Sequence, residues 1–501
     1  MPKFVLLWTD AALFLVLAFL LIYAWRVRRL PALRASWREV FRRAPAACSA
    51  LVLVVFGSIA LLDSIHFRPQ LPPVPGAAAD APPSYAPVVR SALDLLLDGT
   101  ALSSTEKTYS APLSAYQFTK ESLLIDGITV RDFPRLKHGG AHLDDPEAQR
   151  GGDIARRAGL GVAAGVLAAV LLAAAGLAVL GRRGGGWRQA ASDVLARRTV
   201  YPWLALWCTA SLLLLLVALA ISLAGGYHIL GTDRTGNDVL WQAMKSLRTA
   251  LVIGFLTLLA MLPPALFFGI AAGYFKGRVD TVIQYLYTIL TSIPGVLLIA
   301  ACVLLMQGFI DRHPELYGTA AERADLRLFL LCMVLGLTGW AGLCRLLRAE
   351  ALKLRELEYV QAARAFGVSH WRIMLRHLLP NVTHIVLITA VLEFSGLVLY
   401  EAVLSYLGIG VDATTRSFGS MIDMARLEMS RDPMIWWNLL TAFGFMLALV
   451  LAANLFADAV RDAFDPNGNH ARPRRRFKRR ERPASAVRMA SSAHAANGEG
   501  K

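Results

Sequence analysis

The sequence predicts an all-α protein that crosses a membrane about nine times. Three observations carry this expectation. Of 501 residues, 56% are hydrophobic and only 18% charged, whereas a soluble domain carries about 25% charged residues. Mean hydropathy is +0.49. The apolar residues gather in runs near the length of about 20 that a spanning helix needs. The net charge of +16 falls in short blocks between alternate runs. That pattern fits the rule that cytoplasmic loops are basic better than it fits a nucleic-acid footprint, so no nucleic-acid partner is expected. The runs show no alternation of polar and apolar residues, which argues against a barrel. In lipid every backbone polar group must be satisfied, and helices do this within one segment.

The runs cover residues 4–25, 46–62, 158–180, 203–224, 249–273, 281–306, 328–344, 385–407 and 435–457. The first is interrupted by Asp10. A cleaved signal peptide is its rival reading. The leading segment holds only Lys3, and no small-residue cleavage site precedes the following arginines, so an uncleaved span is expected. Arginines follow the first run (Arg26, Arg28, Arg29, Arg34, Arg38, Arg42, Arg43) and the third (Arg182, Arg183, Arg188, Arg197, Arg198). Lys276 and Arg278 follow the fifth; Arg345, Arg348, Lys353, Arg355, Arg364, Arg372 and Arg376 follow the seventh. The chain after the ninth is basic again, while loops 307–327 and 409–434 are mixed or slightly acidic. The expected topology has the N-terminus outside and the C-terminus cytoplasmic.

Five segments follow from this reading. Residues 1–62 hold two spans and a basic cytoplasmic stretch. Residues 63–157 form an external insert, opened by a stiff linker with Pro69, Pro72, Pro73, Pro75, Pro82, Pro83 and Pro87. Its apolar clusters at 93–97 and 123–125 suggest a small module. Residues 158–227 add two spans, 228–465 hold the remaining five, and 466–501 read as a disordered basic cytoplasmic tail suited to anionic lipid.

The most informative stretch is the basic loop 355–381 between the seventh and eighth runs. Helix formers lead to Gly367, a natural left-handed helix cap. Ser369 is placed to cap a second helix, and Pro380 to break it before the next span. Ala362, Ala363 and Ala365 give the resulting knob small residues that let another protein approach. An ordinary amphipathic connector is the plainer reading of such a loop. The order of residues favours more. Gln361, Ala362, Ala363, Gly367, Leu379 and Pro380 resemble the cytoplasmic signature loop of ABC-importer permeases, with Gln361 and His377 in place of the usual Glu and Ile. Arg364 and the stretch 376–381 resemble the dipeptide/oligopeptide/nickel subgroup.

The resemblance covers about residues 228–466. It includes Gly231-Thr232-Asp233 after His228, Gly269 to Gly273 with Gly277 and Asp280, and Glu401 with Ser405, Gly408 and Gly410. Phe418-Gly419, Trp436-Trp437, Asn454, Asp458 and Asp465-Pro466 complete it. The stretch 37–43 resembles the amphipathic helix that precedes the first span in the C-type member of such permease pairs. The first span, residues 63–157 and the two spans after them depart from the family pattern.

The resemblance implies a six-helix-type permease core working by alternating access. It implies a homologous permease as heterodimer partner, two ATPase subunits, and an extracytoplasmic solute-binding protein, in a bacterial inner membrane. Tyr359, Gln361, Ala362, Ala363, Arg364, Gly367, Arg372, Leu379 and Pro380 would form the ATPase-coupling loop. Glu401, Ser405 and Gly408 would belong to a gate or path. Short peptides or related small solutes are the expected substrates. The chain carries no Gly-x-x-x-x-Gly-Lys-Ser/Thr loop, so ATP and Mg are expected on the partner subunits, with no catalytic residue and no cofactor or metal here.

Other features have bland readings beside sharper ones. Glu393 and Glu401 share the eighth run, and intramembrane carboxylates often mark ion pathways. A proton relay needs a buried partner, and His384 is the nearby candidate; packing or an external gate is the expected role of Glu401. Pro263-Pro264 and Pro294 predict kinks. The pairs Gly161/Gly165 and Gly269/Gly273 predict close contacts within the chain. Cys48, Cys208, Cys302, Cys332 and Cys344 read as small apolar packers, and His66, His138, His142 and His228 as ordinary polar residues. Two rival functions are an ion-coupled secondary transporter, which needs inverted repeats and buried ionisable pairs, and a membrane-anchored sensor or scaffold built on the insert.

Overall fold

The computed structural model describes residues 2–71, 84–125, 128–183, 186–317, 319–412 and 414–464. Pro72, Pro73, Pro75, Pro82 and Pro83, Asp465-Pro466 and the tail 466–501 lie outside the described residues. A short strand, β1 (Lys3–Val5), leads into α1 (Trp8–Arg29). Helix α2 (Pro31–Arg42) opens on proline, whose missing N–H costs nothing in a first turn. Its Trp37 and Phe41 pack against Phe456 near the chain's far end. Next comes α3 (Ala44–Asp63).

The insert is small and mostly irregular. Strands β2 (His66–Arg68) and β3 (Arg90–Ser91) extend β1 into an antiparallel three-stranded sheet. Ser91 and Asp94 form a capping box on α4 (Ala92–Leu96). Strands β4 (Glu121–Ile125) and β5 (Ile128–Asp132) pair antiparallel, with Glu121 opposite Asp132. Helices α5 (Pro146–Arg183), α6 (Trp187–Leu195) and α7 (Trp203–Ala224) follow. Gly161 and Gly165 lie against the backbone of α7: a Cβ on them would stand 2.9 Å from Leu219 Cα and 2.8 Å from Leu215 Cα. This is the intrachain contact that the glycine spacing predicts.

The central element is α8 (Val239–Phe275), against which α3, α11, α12 and α15 pack. It runs through Pro263 and Pro264 as one helix. Its 37 residues span about 55 Å at 1.5 Å per residue. Gly269 and Gly273 seat it on the following helices, where added Cβ atoms would fall 2.7 Å from Leu347 Cβ and 2.5 Å from Ala351 Cβ.

Two expectations are corrected here. The run 281–306 is two helices, α9 (Gly277–Ser292) and α10 (Gly295–Arg312). Pro294 has no N–H to continue the ladder and forces Ile293 into an extended conformation. The run 328–344 is α11 (Ala320–Gly339) and α12 (Ala341–Leu354), bent by 40° at Trp340. Then come α13 (Glu358–Ala365), α14 (His370–Ile373), a π turn at Met374–Leu378, α15 (Leu379–Tyr406), α16 (Phe418–Glu428) and α17 (Trp437–Phe464). Among the described residues, eight helices are long and apolar enough to cross a membrane, and nine if the bent pair is one span.

The spans give the protein two ends. Residues 228–238, at the start of α8, bond to the insert; Tyr274, at its finish, bonds to Arg355 and His370. The insert and the loop 355–381 therefore occupy opposite ends of the bundle. The basic blocks after α1, α8 and α12 share the loop end.

Candidate functional site

At the loop end, Val360 of α13, Ile373 and Leu378 are buried and belong to the same apolar core as Leu347, Ala351 and Tyr274. These apolar residues glue the loop to α8 and α12. Polar contacts brace it. Arg355 Nη1 donates to Tyr274 O at 2.7 Å, and Tyr274 Oη and His370 Nδ1 lie 2.8 Å apart. Lys276 pairs with Glu356 at 2.9 Å. Gly367 adopts φ +73°, and its N–H and that of Val368 return to Arg364 O and Ala363 O. This closes α13 in a left-handed cap, as predicted.

The remaining loop residues fall as follows. Tyr359, Gln361, Ala362, Arg364, Arg372 and Pro380 are exposed, while Ala363 and Leu379 are half-buried. Gln361 donates to Glu356 O at 3.0 Å, and Asn381 donates to Tyr359 Oη at 3.1 Å. Phe366, at the tip, is 87% exposed. A phenylalanine so bare on a braced turn offers a partner an apolar knob. Two details differ from expectation. Ser369 stands at the cap position of α14, but its side chain makes no capping bond. Pro380 does not break the helix, because the π turn at Met374–Leu378 shifts the hydrogen-bond ladder just before it. The second arm of the knob is thus continuous with the span α15.

At the insert end, Gly408 terminates α15 with φ +75°. Ser405 Oγ donates to the buried Glu401 Oε1 at 2.6 Å. Gly419 covers the pair, since a Cβ there would sit 3.0 Å from Glu401 Oε1. Glu401 is sealed into the packing of α15 on α16. Ser405 and Gly408 instead line a cavity of about 320 Å³ with Gln307, Arg327 and Arg416. A larger cavity of about 550 Å³ lies beside it, sharing Arg416 and walled by the insert, Trp241, Lys245 and Arg248.

Sequence reasoning missed what holds this end together. Arg248 of α8 is buried and paired with Asp10 of α1 at 2.5 Å, with Asp325 of α11 at 3.6 Å, and with Thr9 Oγ1 at 2.8 Å. His66 Nδ1 lies 2.7 Å from Asp10. Lys245 joins Asp63 of α3 at 2.9 Å and Asp94 of the insert at 3.0 Å. Asp10, which looked like a flaw in the first span, is a counter-ion.

His228 is no ordinary polar residue either. It is fully buried, with Nδ1 2.9 Å from Asp238 Oδ2 and Nε2 3.4 Å from Glu106 Oε1 of the insert. Burial opposes the imidazolium, but these two carboxylates outweigh it and lift the His228 pKa to about 9. Burial likewise opposes the Glu106 carboxylate. The ion-pair contact with His228 and the bonds donated by the N–H groups of Lys137, His138 and Gly139 prevail, and its pKa falls to about 2. Around this clamp, Glu106 N–H donates to Gly236 O, Thr232 N–H to Ser110 O, and Trp437 Nε1 to Thr232 O. The insert is laced into the segment 228–238.

Comparison with known proteins agrees with these features. Residues 265–468 match the family described as binding-protein-dependent transport system inner membrane component. The oligopeptide transport system permease protein OppC of Haemophilus influenzae is 31% identical over 241 residues, 48% of this chain and 71% of that protein. OppC of Mycobacterium bovis is 30% identical over 242 residues, 48% of this chain and 77% of that one. The dipeptide transport system permease protein DppC of Bacillus subtilis is 29% identical over 239 residues, 48% and 68% of the two chains. With its set of membrane-length helices and these relatives, the chain belongs to the inner-membrane permeases of binding-protein-dependent ABC importers, in the dipeptide/oligopeptide subgroup.

Proposed function

We propose that this permease carries short peptides or related small solutes into a bacterial cell as one half of a heterodimeric path. The peptide assignment rests on relatives named for oligopeptide and dipeptide transport. The insert end faces outward and receives solute from an extracytoplasmic binding protein. The loop end, rich in arginine, faces the cytoplasm. There, residues 355–381 sit in one of two ATPase subunits, with Gly367 shaping the contact and Tyr359, Gln361, Ala362, Ala363, Arg364, Arg372, Leu379 and Pro380 around it. ATP and Mg bind the ATPases, which alone hydrolyse ATP. Ser405 and Gly408 line the outer part of the path, with Glu401 supporting them.

The observation that carries this reading is the exposed Phe366–Gly367 turn, braced against α8 and α12 and continuous with α15. It has the form of a lever. The test is a pull-down of the tagged chain from mild detergent, with crosslinking in membranes beforehand. Wild type should bring down a second permease and ATPase activity. The double variant Gly367→Asp, Ala363→Glu should insert normally, keep the second permease and lose the ATPases. A crosslinked wild type without ATPases would defeat the coupling assignment.

A further inference from the structure

Glu393 sits on α15, 14 residues after Leu379 and 13 before Tyr406, so about 20 Å of helix separates it from either end. It is exposed on the surface of this subunit, and no ion pair or hydrogen bond of its side chain is found among the described residues. Its neighbour Phe394 points the other way, into the core; a Cβ on Gly254 of α8 would stand 2.3 Å from the Phe394 ring. One turn along the exposed face, Gly396 has open space where a side chain would be. The carboxylate therefore has no side chain of this subunit crowding it on that face. His384, nine residues earlier on the same helix, is about 13 Å away along the axis and does not neutralise it.

A lone carboxylate at the middle of a bilayer is costly against hydrocarbon, so it belongs on a surface that meets water or an opposite charge. In a two-permease assembly the path between the subunits offers such a surface. We infer that Glu393 lines this path at mid-depth and receives the positively charged groups of the solute, a peptide ammonium or a basic side chain. Glu393 then favours cationic over anionic peptides in passage. The inference rests on the proposed function twice, on the peptide reading for its substrate and on the two-permease reading for the path; the structure supplies the exposed, unpaired, mid-helix position of Glu393.

The test uses the complete transporter in vesicles with its binding protein. Uptake of a lysine-containing tripeptide is compared with that of its glutamate counterpart. The binding protein's own preference is common to all variants and cancels. Glu393→Gln should lower the lysine-to-glutamate uptake ratio about tenfold, the discrimination that one partly hydrated ion pair supplies. Glu393→Asp should leave the ratio nearly unchanged. An unchanged ratio in Glu393→Gln overturns the inference. Should that variant fail to assemble, Glu393→Cys in a chain freed of its native cysteines gives a second readout. Reaction with a membrane-impermeant cationic thiol reagent, slowed by the lysine peptide, supports the placement. Failure to react, because the residue faces lipid or a cation of the second permease, overturns it. If wild type transports neither tripeptide, the peptide reading falls, and labelling still decides whether Glu393 borders a water-filled path.

Discussion

The buried clamp between insert and core makes a prediction about pH. His228 is wholly enclosed, and its pKa rises from 6.5 to about 9 on folding. At ~1.4 kcal/mol per unit, that lift ties about 3 kcal/mol of folding to the imidazolium, shared between Asp238 on its own segment and Glu106 of the insert, and the Glu106 share is what holds the insert. The folded value lies above the unfolded one. The stabilisation is therefore full below pH 6.5 and is lost as pH rises through about 9. Glu106 bears the opposite sign: its contribution is present above 4.5 and lost as pH falls through about 2. Docking should be tightest between the two windows. Tryptic cleavage after Lys137, whose N–H is held by Glu106 at 2.9 Å, reports opening of the clamp in membranes. Normalised to a free peptide of the same sequence, cleavage should grow up to ~10-fold per pH unit between pH 7 and 9, then level off. Glu106→Gln removes the charge but keeps the shape. It should cost about 2–3 kcal/mol, the worth of a hydrogen bond to a charged group, raising cleavage ~30–100-fold at pH 7 with a shallower pH slope. Equal cleavage and equal slope in both proteins would refute the clamp.

Two further outcomes follow from named contacts. Asp10→Ala leaves the buried Arg248 with Asp325 at 3.6 Å as its remaining ion pair among the described residues and Asp63 as a more distant counter-charge, and should destabilise the purified chain by about 3–5 kcal/mol; an unchanged melting temperature would show that Arg248 is served by water instead. Gly367→Ala meets no heavy atom within 4 Å and bears only the strain of φ +73°, about 1–2 kcal/mol confined to the cap. ATPase capture should survive it, in contrast to the acidic double variant, and loss of capture in Gly367→Ala would mean that the turn conformation itself is what the partner reads.

The spans and the left-handed turn at Gly367 were legible because each is a local property: mean hydropathy over 20 residues, or one residue type at one backbone angle. The failures share a cause. Whether a proline kinks, breaks or passes depends on neighbours. Pro263 and Pro264 remain inside α8, Pro294 splits a span, and Pro380 follows a π turn that sequence periodicity does not announce. Pairings across long separations leave no local trace. Asp10 and Arg248 lie 238 positions apart, and Glu106 meets a histidine that looked unremarkable.

A signal was nevertheless present. An ionised side chain in or beside an apolar run must find an opposite charge, a hydrogen-bonding cradle or water, because a low-dielectric surrounding makes isolation costly. Asp10 near the start of one spanning helix and Arg248 in another satisfy each other. Lys245 is answered by Asp63 and Asp94, and Glu401 by Ser405. Applied to Glu393, the same rule returns no partner among the described residues of this chain. The demand does not vanish; it passes to whatever faces α15 across the assembled transporter. That is why a carboxylate unsatisfied in one subunit points to the path between two.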